Sequence, residues 1–178
     1  DLGLEVNTKK TQVMVFNPQG HGPKMFNKLS FVIDNRELAI AESYFYLGLV
    51  FKPSRSITAA VHELHSKASK AWFAISNIVY QNKKLSIRKA FQLVDSLVTP
   101  VGLYACEFWA PFVIPTRHFM DRESLLKSWE NFTPETLNQR VSRMLLSVHK
   151  KSSRLAVLGE LGRYPLFLKV VGQCVKYE

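Results

Sequence analysis

Two hydrophobic periods divide this chain near Phe51. Before it, apolar residues come in short runs between turn residues; after it, they recur every three to four positions. The change follows Tyr44-Phe45-Tyr46-Leu47-Gly48-Leu49-Val50-Phe51, a run made only of apolar, aromatic and glycine residues. The run is too short for an ordinary helix and rich in β-formers. It predicts a buried strand pair or one bent strand, with Gly48 marking a bulge, a bend or a close approach by another backbone. Upstream, Gln12-Val13-Met14-Val15-Phe16 predicts a short strand, and Pro18, Gly20, Gly22 and Pro23 put a loop over 17–28. Leu29-Ser30-Phe31-Val32-Ile33 alternates as a half-buried strand. Asp34-Asn35 supplies its turn and Glu37-Leu38-Ala39-Ile40 the returning partner.

Lys52-Pro53-Ser54-Arg55-Ser56 ends the β region. Ile57, Val61, Leu64, Ala68, Ala71, Trp72, Ile75 and Val79 then keep a helical period, predicting one long amphipathic helix over 57–80. Ser86 is placed to cap a second helix with Ile87, Ala90, Phe91, Val94, Leu97 and Val98 on its inner face, which Pro100 should kink or end. Val101 to Trp109 continues as an apolar segment closed by Pro111 and Pro115, and residues 116–132 carry no clear period. Thr133-Pro134-Glu135 reads as a helix start: a capping threonine, a proline in the first turn and an acid near the positive end. Leu137, Val141, Met144, Leu145 and Val148 give that helix its apolar face. A last helical region runs from Arg154, interrupted near Gly162 and Pro165. The expected class is α+β, a short antiparallel β region followed by mainly helical chain. The helical pattern is still running at the last residues and there is no initiator Met, so we expect a piece of a longer polypeptide.

Charge sharpens this picture because it is localised. The chain carries 24 Lys+Arg against 14 Asp+Glu, a net +10. Residues 1–51 are neutral. Over 52–90, Lys52, Arg55, Lys67, Lys70, Lys83, Lys84, Arg88 and Lys89 face Glu63 alone, a net +7. Residues 91–135 are net −3, and 136–178 net +6, with Arg140, Arg143, Lys150, Lys151 and Arg154 preceding any acid. Two basic helical faces suit a phosphate backbone, whose contacts are salt-dependent and blind to sequence; ordinary solvated faces are the competing reading. Nucleic acid is the expected partner and no membrane is expected, although the basic balance alone does not separate nucleic acid from an anionic membrane surface; no apolar run reaches spanning length. The two cysteines, Cys106 and Cys174, have no metal-binding spacing; a reduced intracellular chain is the simple expectation, with a single disulfide left open.

Catalytic patterns are missing from the sequence. His62-Glu63-Leu64-His65 resembles a zinc motif, but the metalloprotease helix needs its histidines four apart, and these are three apart, which reads as a surface pair. There is no phosphate-cradling glycine loop, no nucleophile elbow and no Asp-Asp pair to hold two Mg²⁺; Cys106 and Ser152-Ser153 lack triad partners.

Four segments in order resemble one family. Gly3-Leu4-Glu5-Val6-Asn7-Thr8-Lys9-Lys10-Thr11 is similar to the Gly-Leu-x-Val-Asn-x-x-Lys-Thr that follows the catalytic Tyr-x-Asp-Asp of non-LTR (LINE-type) retrotransposon reverse transcriptases. Tyr46-Leu47-Gly48 resembles their primer grip. Val98 to Trp109 resembles the thumb pattern Val-x-Pro-x-x-Leu-Tyr-Gly-x-Glu-x-Trp, with Ala105 where the family often has glycine. Glu160-Leu161-Gly162-Arg163-Tyr164-Pro165-Leu166 is similar to a Glu-Leu-Gly-x-x-Pro-Leu found further on.

The resemblance implies that residues 1–51 are the end of a palm with its primer grip, 52–115 a helical thumb, and 116–178 the start of a helical linker. It implies a fragment of an RNA-directed DNA polymerase that holds an RNA–DNA primer–template beside the upstream fingers and palm. The fragment itself lacks the catalytic aspartates and binds no cofactor; Mg²⁺ belongs to the parent polymerase, in nucleus or cytoplasm. Lys10 would then be a proton donor or nucleotide contact, against a solvated strand-end lysine. Tyr46, Leu47 and Gly48 would face the primer, against a packed hairpin core. Trp72 and Trp109 are expected in the core rather than stacked on bases. The alternatives are a non-enzymatic nucleic-acid-binding module and a decayed or co-opted relic.

Overall fold

A computed structural model describes residues 6–7, 10–16, 30–54, 56–82, 84–114 and 132–176. The fold is α+β, and the chain forms two compact units, Asp1–Ala60 and Val61–Glu178.

Among its described residues the first unit holds three two-stranded sheets. Asn7 organises its start: its backbone oxygen accepts from the N–H groups of Lys10 and Thr11, both at 3.0 Å, and its Oδ1 accepts from Lys10 N–H at 3.3 Å. β1 (Gln12–Val13) runs parallel to β4 (Ala39–Ile40). β2 (Val32–Ile33) turns through Asp34 and Asn35, both at positive φ, into β3 (Arg36–Glu37). Two positive-φ residues make the turn type whose twist suits a hairpin. That turn starts the return at Arg36, so the expected partner segment divides at Leu38: its first part completes the hairpin and Ala39-Ile40 pairs with β1 instead.

β5 (Tyr44–Tyr46) and β6 (Leu49–Phe51) form the second hairpin, in the register Tyr44↔Phe51, Phe45↔Val50, Tyr46↔Leu49. Leu47 (φ 45°) and Gly48 (φ 85°) are its two-residue turn, which is why a glycine stands there. The strand pair is as expected, but its burial is not. Leu49 is buried, whereas Tyr46 is 55% and Leu47 71% exposed. An isolated two-stranded ribbon has two faces and no second layer of its own to cover both.

The second unit is helical. α1 (Thr58–Gln81) buries Val61, Leu64, Ala68, Trp72 and Val79 along one face. α2 (Ile87–Leu93) is capped as expected, with Ser86 Oγ accepting from Lys89 N–H at 3.3 Å. It runs on through a π-helical turn, Val94–Val98, into α3 (Thr99–Gly102). Pro100 therefore does not end the helix, which carries on past it to Gly102. It has no N–H for the Ser96 carbonyl and its ring crowds that carbonyl; the wider π turn, with Thr99 N–H reaching Val94 O, relieves both. Gly102 lets α3 approach α1, since a β-carbon there would lie 3.3 Å from Ala68 Cβ.

Ala105, at φ 51°, separates α3 from α4 (Cys106–Val113), and Pro111 lies inside α4 rather than closing it. α5 (Thr133–Leu145) has Phe132, not Thr133, as its cap residue. α6 (Arg154–Glu160) is capped by Ser153 Oγ. It ends in a Schellman turn: Gly162, at φ 61°, donates to Gly159 O at 3.0 Å and Arg163 to Leu158 O at 2.9 Å. α7 (Leu166–Val175) packs on α4. Ala68 and Trp72 of α1, Phe91 of α2, Val94 and Val98 of the π turn, and Leu137 and Val141 of α5 share one core. Helices from the expected thumb and from the expected linker thus build a single interior. No described helix is long and apolar enough to cross a membrane.

Candidate nucleic-acid interface

Two polar joints hold the helices that carry the basic residues. The first is Glu135, which is fully buried. Its Oε1 accepts from Asn138 Nδ2 at 2.9 Å and its Oε2 from Phe167 N–H at 3.4 Å. One carboxylate therefore sits in the first turn of α5 and at the start of α7, where Pro165 offers no side-chain cap. Helix starts leave backbone N–H groups without intrahelical acceptors; the buried carboxyl takes up one of them, that of Phe167 in α7, and on α5 the side-chain amide of Asn138.

The second joint is Asp95 with Arg163. Nη1 and Nη2 of Arg163 reach Oδ2 and Oδ1 of Asp95 at 2.8 and 2.7 Å, and the guanidinium lies 4.3 Å over the Phe91 ring. Burial alone would raise the Asp95 carboxyl; the Arg163 hydrogen bonds and charge, with Lys169 and Thr99, outweigh it and hold the group below its usual value. This pair ties the π turn just before the Val98–Trp109 segment to the Glu160–Leu166 segment. Beside it, Tyr164, Pro165, Leu166, Leu168 and Lys169 complete the lining of an open surface cleft.

The predicted basic residues fall into separate groups. Lys52 is exposed in the first unit. In the second unit Lys70 is exposed on α1, while Lys67 makes an i,i+4 pair with Glu63 at 3.8 Å. Lys84, Arg88 and Lys89 are exposed at the start of α2, whose first turn holds no acid. Cations there oppose the helix dipole by a few tenths of a kcal/mol each, roughly, and an arriving anion would cancel that cost. Arg143 is committed to structure: its Nε and Nη2 donate to Ser152 O at 3.3 and 3.1 Å, bracing the break between α5 and α6. Arg140 is exposed, with its guanidinium 5.9 Å over the Phe73 ring of α1. The two basic segments of the sequence therefore meet at this Phe73–Arg140 stack. Arg55 and Lys83 lie outside the described residues.

Lys10 is exposed at the end of the Asn7 turn. Tyr46, Leu47 and Gly48 form the exposed hairpin tip, so the packed-core alternative does not hold for Tyr46 or Leu47. Trp72 and Trp109 are core, at 1% and 0% exposure; Trp109 Nε1 donates to Tyr104 O at 2.8 Å. Cys106 is likewise a packing residue. Its thiol donates to Gln173 Oε1 at 2.8 Å, and burial, with Glu107 and Cys174 beside it, pushes it up to about 12. No disulfide joins Cys106 to Cys174.

Sequence reasoning missed Glu135 and Asp95–Arg163 as joints and the Phe73–Arg140 stack as a meeting point. The HELH spacing was the one signal near that stack, because His65 lies on α1 within reach of Arg140's charge. Among the described residues no three His, Cys, Asp or Glu come together to seat a metal ion.

Fold and surface define a basic α+β chain with a compact helical unit. No protein-family model, curated protein or solved structure matches it.

Proposed function

We propose that this chain holds a nucleic-acid duplex, as the palm-end, thumb and linker portion of a non-LTR retrotransposon reverse transcriptase. The observation that carries the reading is the meeting of both basic segments at Phe73 and Arg140, with Lys70, Lys84, Arg88 and Lys89 exposed on the adjoining helices. Such a surface fits phosphates of either strand without reading bases. The motif positions add support of a different kind. Gly48, Gly162 and Ala105, which align with glycines of the family patterns, all sit at positive φ, where glycine is favoured. In the parent enzyme, metal-dependent nucleotidyl transfer would rest with carboxylates other than those described in this chain. The chain positions the RNA–DNA hybrid and polymerises nothing alone.

The test is binding of an RNA–DNA hybrid by the chain and by a variant with Lys67, Lys70, Lys83 and Lys84 all changed to Gln. Loss of four cations should flatten the slope of log affinity against log salt by up to about 3–4. Unchanged affinity and slope would reject the reading. A second reading, a stand-alone binding module, is favoured by the core that α1, α2, the π turn and α5 share within the helical unit. Equal affinity for hybrid and for single strands of matched charge density would favour it over a thumb, which should select duplex shape.

A further inference from the structure

The duplex reading gives the Glu160–Leu166 segment no role, yet this segment builds one wall of the cleft beside Asp95 and Arg163. The Schellman turn at Gly162 fixes its entry, and Arg163 is tied down by Asp95 and by the Phe91 ring. Pro165 follows at φ −54°, and a residue before proline is confined to extended backbone. Tyr164 is therefore held between two anchored neighbours, while the residue itself is 80% exposed. No other large apolar or aromatic side chain among the described residues is more exposed. A ring presented on so fixed a backbone loses little entropy when something stacks on it.

The cleft has a volume of about 600 Å³, within the range of small-molecule pockets. Its described lining is of two kinds. Tyr164, Pro165 and Leu168 give an apolar wall, and Leu168, four residues past Tyr164, is 53% exposed. Asp95, Arg163 and Lys169 give a polar end with two cations and one anion. The Asp95 side chain is 40% exposed, and Arg163 and the charge of Lys169 keep it ionised. Its Oδ1 accepts from Arg163 and from Thr99 Oγ1, the latter at 3.4 Å. Among the described residues Oδ2 accepts from Arg163 alone and keeps a lone pair. A flat ligand with an apolar face, an amino edge and a phosphate suits all of this lining. That is an unpaired nucleotide; a paired base has its edge and both faces taken.

We propose that this cleft seats one unpaired nucleotide of a bound strand. The base lies against the Tyr164 ring and Leu168, its amino group donates to Asp95 Oδ2, and Lys169 pairs with its phosphate. Cytosine, adenine and guanine carry such an amino group and thymine does not, so the first three are preferred. The proposal rests on the nucleic-acid reading and gives a single-stranded end a place of its own.

The test compares, at constant ionic strength, the chain's affinity for a blunt RNA–DNA hybrid and for the same hybrid with a one-nucleotide DNA overhang. A dC overhang should bind about tenfold more tightly than the blunt hybrid and a dT overhang less so, while an abasic overhang keeps only the small share of its phosphate. In Tyr164→Ala the dC-to-blunt ratio should fall to the abasic one, and in Tyr164→Phe it should persist. The ring is exposed, so both variants should keep the parent's thermal midpoint. A parent ratio near one, or the same ratio in Tyr164→Ala, overturns the cleft site and leaves the nucleic-acid reading standing on the blunt hybrid. Free dCMP, followed by NMR through the Tyr164 ring, separates a strand end from a mononucleotide. A shift with dCMP and no hybrid binding supports the cleft site and rejects that reading. Ring resonances that move with protein concentration and not with dCMP mark a contact between copies of the chain and overturn the proposal. No response to dCMP and no hybrid binding reject both.

Discussion

The two units use aromatic residues in opposite ways. In the helical unit Trp109 is fully buried, 5.9 Å from the Phe132 ring, with Phe132 in turn 6.1 Å from Phe167. In the β unit Tyr44 and Tyr46 stack on each other at 6.4 Å, and both remain exposed. Helices can surround a ring from several sides, while a two-stranded ribbon can only lay rings along its own surface. Apolar content therefore measures something different in each unit: a buried interior in one, and exposed ring surface in the other.

The sharpest way to break this comparison is truncation of one aromatic in each unit. Trp109→Ala removes an indole from a closed core together with its bond to Tyr104 O, and should cost about 3–5 kcal/mol. Tyr46→Ala removes a half-exposed ring and should cost below about 1 kcal/mol. Chemical denaturation of the whole chain measures both, and equal costs would mean that the hairpin has a core after all.

A smaller effect separates the units by pH. Asp95 is held below its ordinary carboxyl value in the folded helical unit. Its contribution is present above the unfolded value of about 3.9 and is lost as pH falls through the depressed folded value. Arg163→Met keeps a stem over Phe91 but removes the charge. It should cost about 1 kcal/mol near neutral pH, since Asp95 is partly open to solvent and screened. The stability difference between the parent and Arg163→Met should shrink below about pH 4, and a difference constant from pH 7 to 3 would sink the assignment.

Local signals in the sequence read well. The Ser86 cap, the Asp34-Asn35 turn, the span of α1 and the burial of Trp72 and Trp109 each follow from residues within one element. What escaped depends on chain segments far apart. Asp95 and Arg163 are separated by 68 positions, and Glu135 reaches Phe167 across 32. No periodicity announces such partners. Val94–Val98 keeps the apolar spacing of a helix, so the change to a π turn is invisible until Pro100 is seen to need it. The run Tyr44–Phe51 announces strands correctly, but apolarity cannot say whether anything covers them. The candidate interface was legible as charge, whereas its meeting point required knowing that α1 and α5 share one core.

The smallest effect bears on the two non-glycine residues at left-handed positions next to the family-like motifs, one in each unit. Ala105 has φ 51° and ψ 34° between α3 and α4, and Leu47 has φ 45° in the hairpin turn. A β-carbon in this region costs about 1 kcal/mol, and glycine returns part of that gain through the entropy of the unfolded chain. Ala105→Gly should therefore stabilise the helical unit by about 0.5 kcal/mol. Leu47→Asn should do as much for the hairpin, because asparagine tolerates this conformation and the leucine side chain is 71% exposed, so little packing is lost. The comparison predicts a further divergence. Ala105→Gly should leave hybrid binding unchanged, since Ala105 only shapes the backbone between two helices. Leu47→Asn removes an apolar side chain from the exposed hairpin tip, and if that tip faces a primer strand, affinity should fall even as stability rises. Hybrid affinity unchanged in Leu47→Asn would withdraw the hairpin from the interface and leave binding to the helical unit.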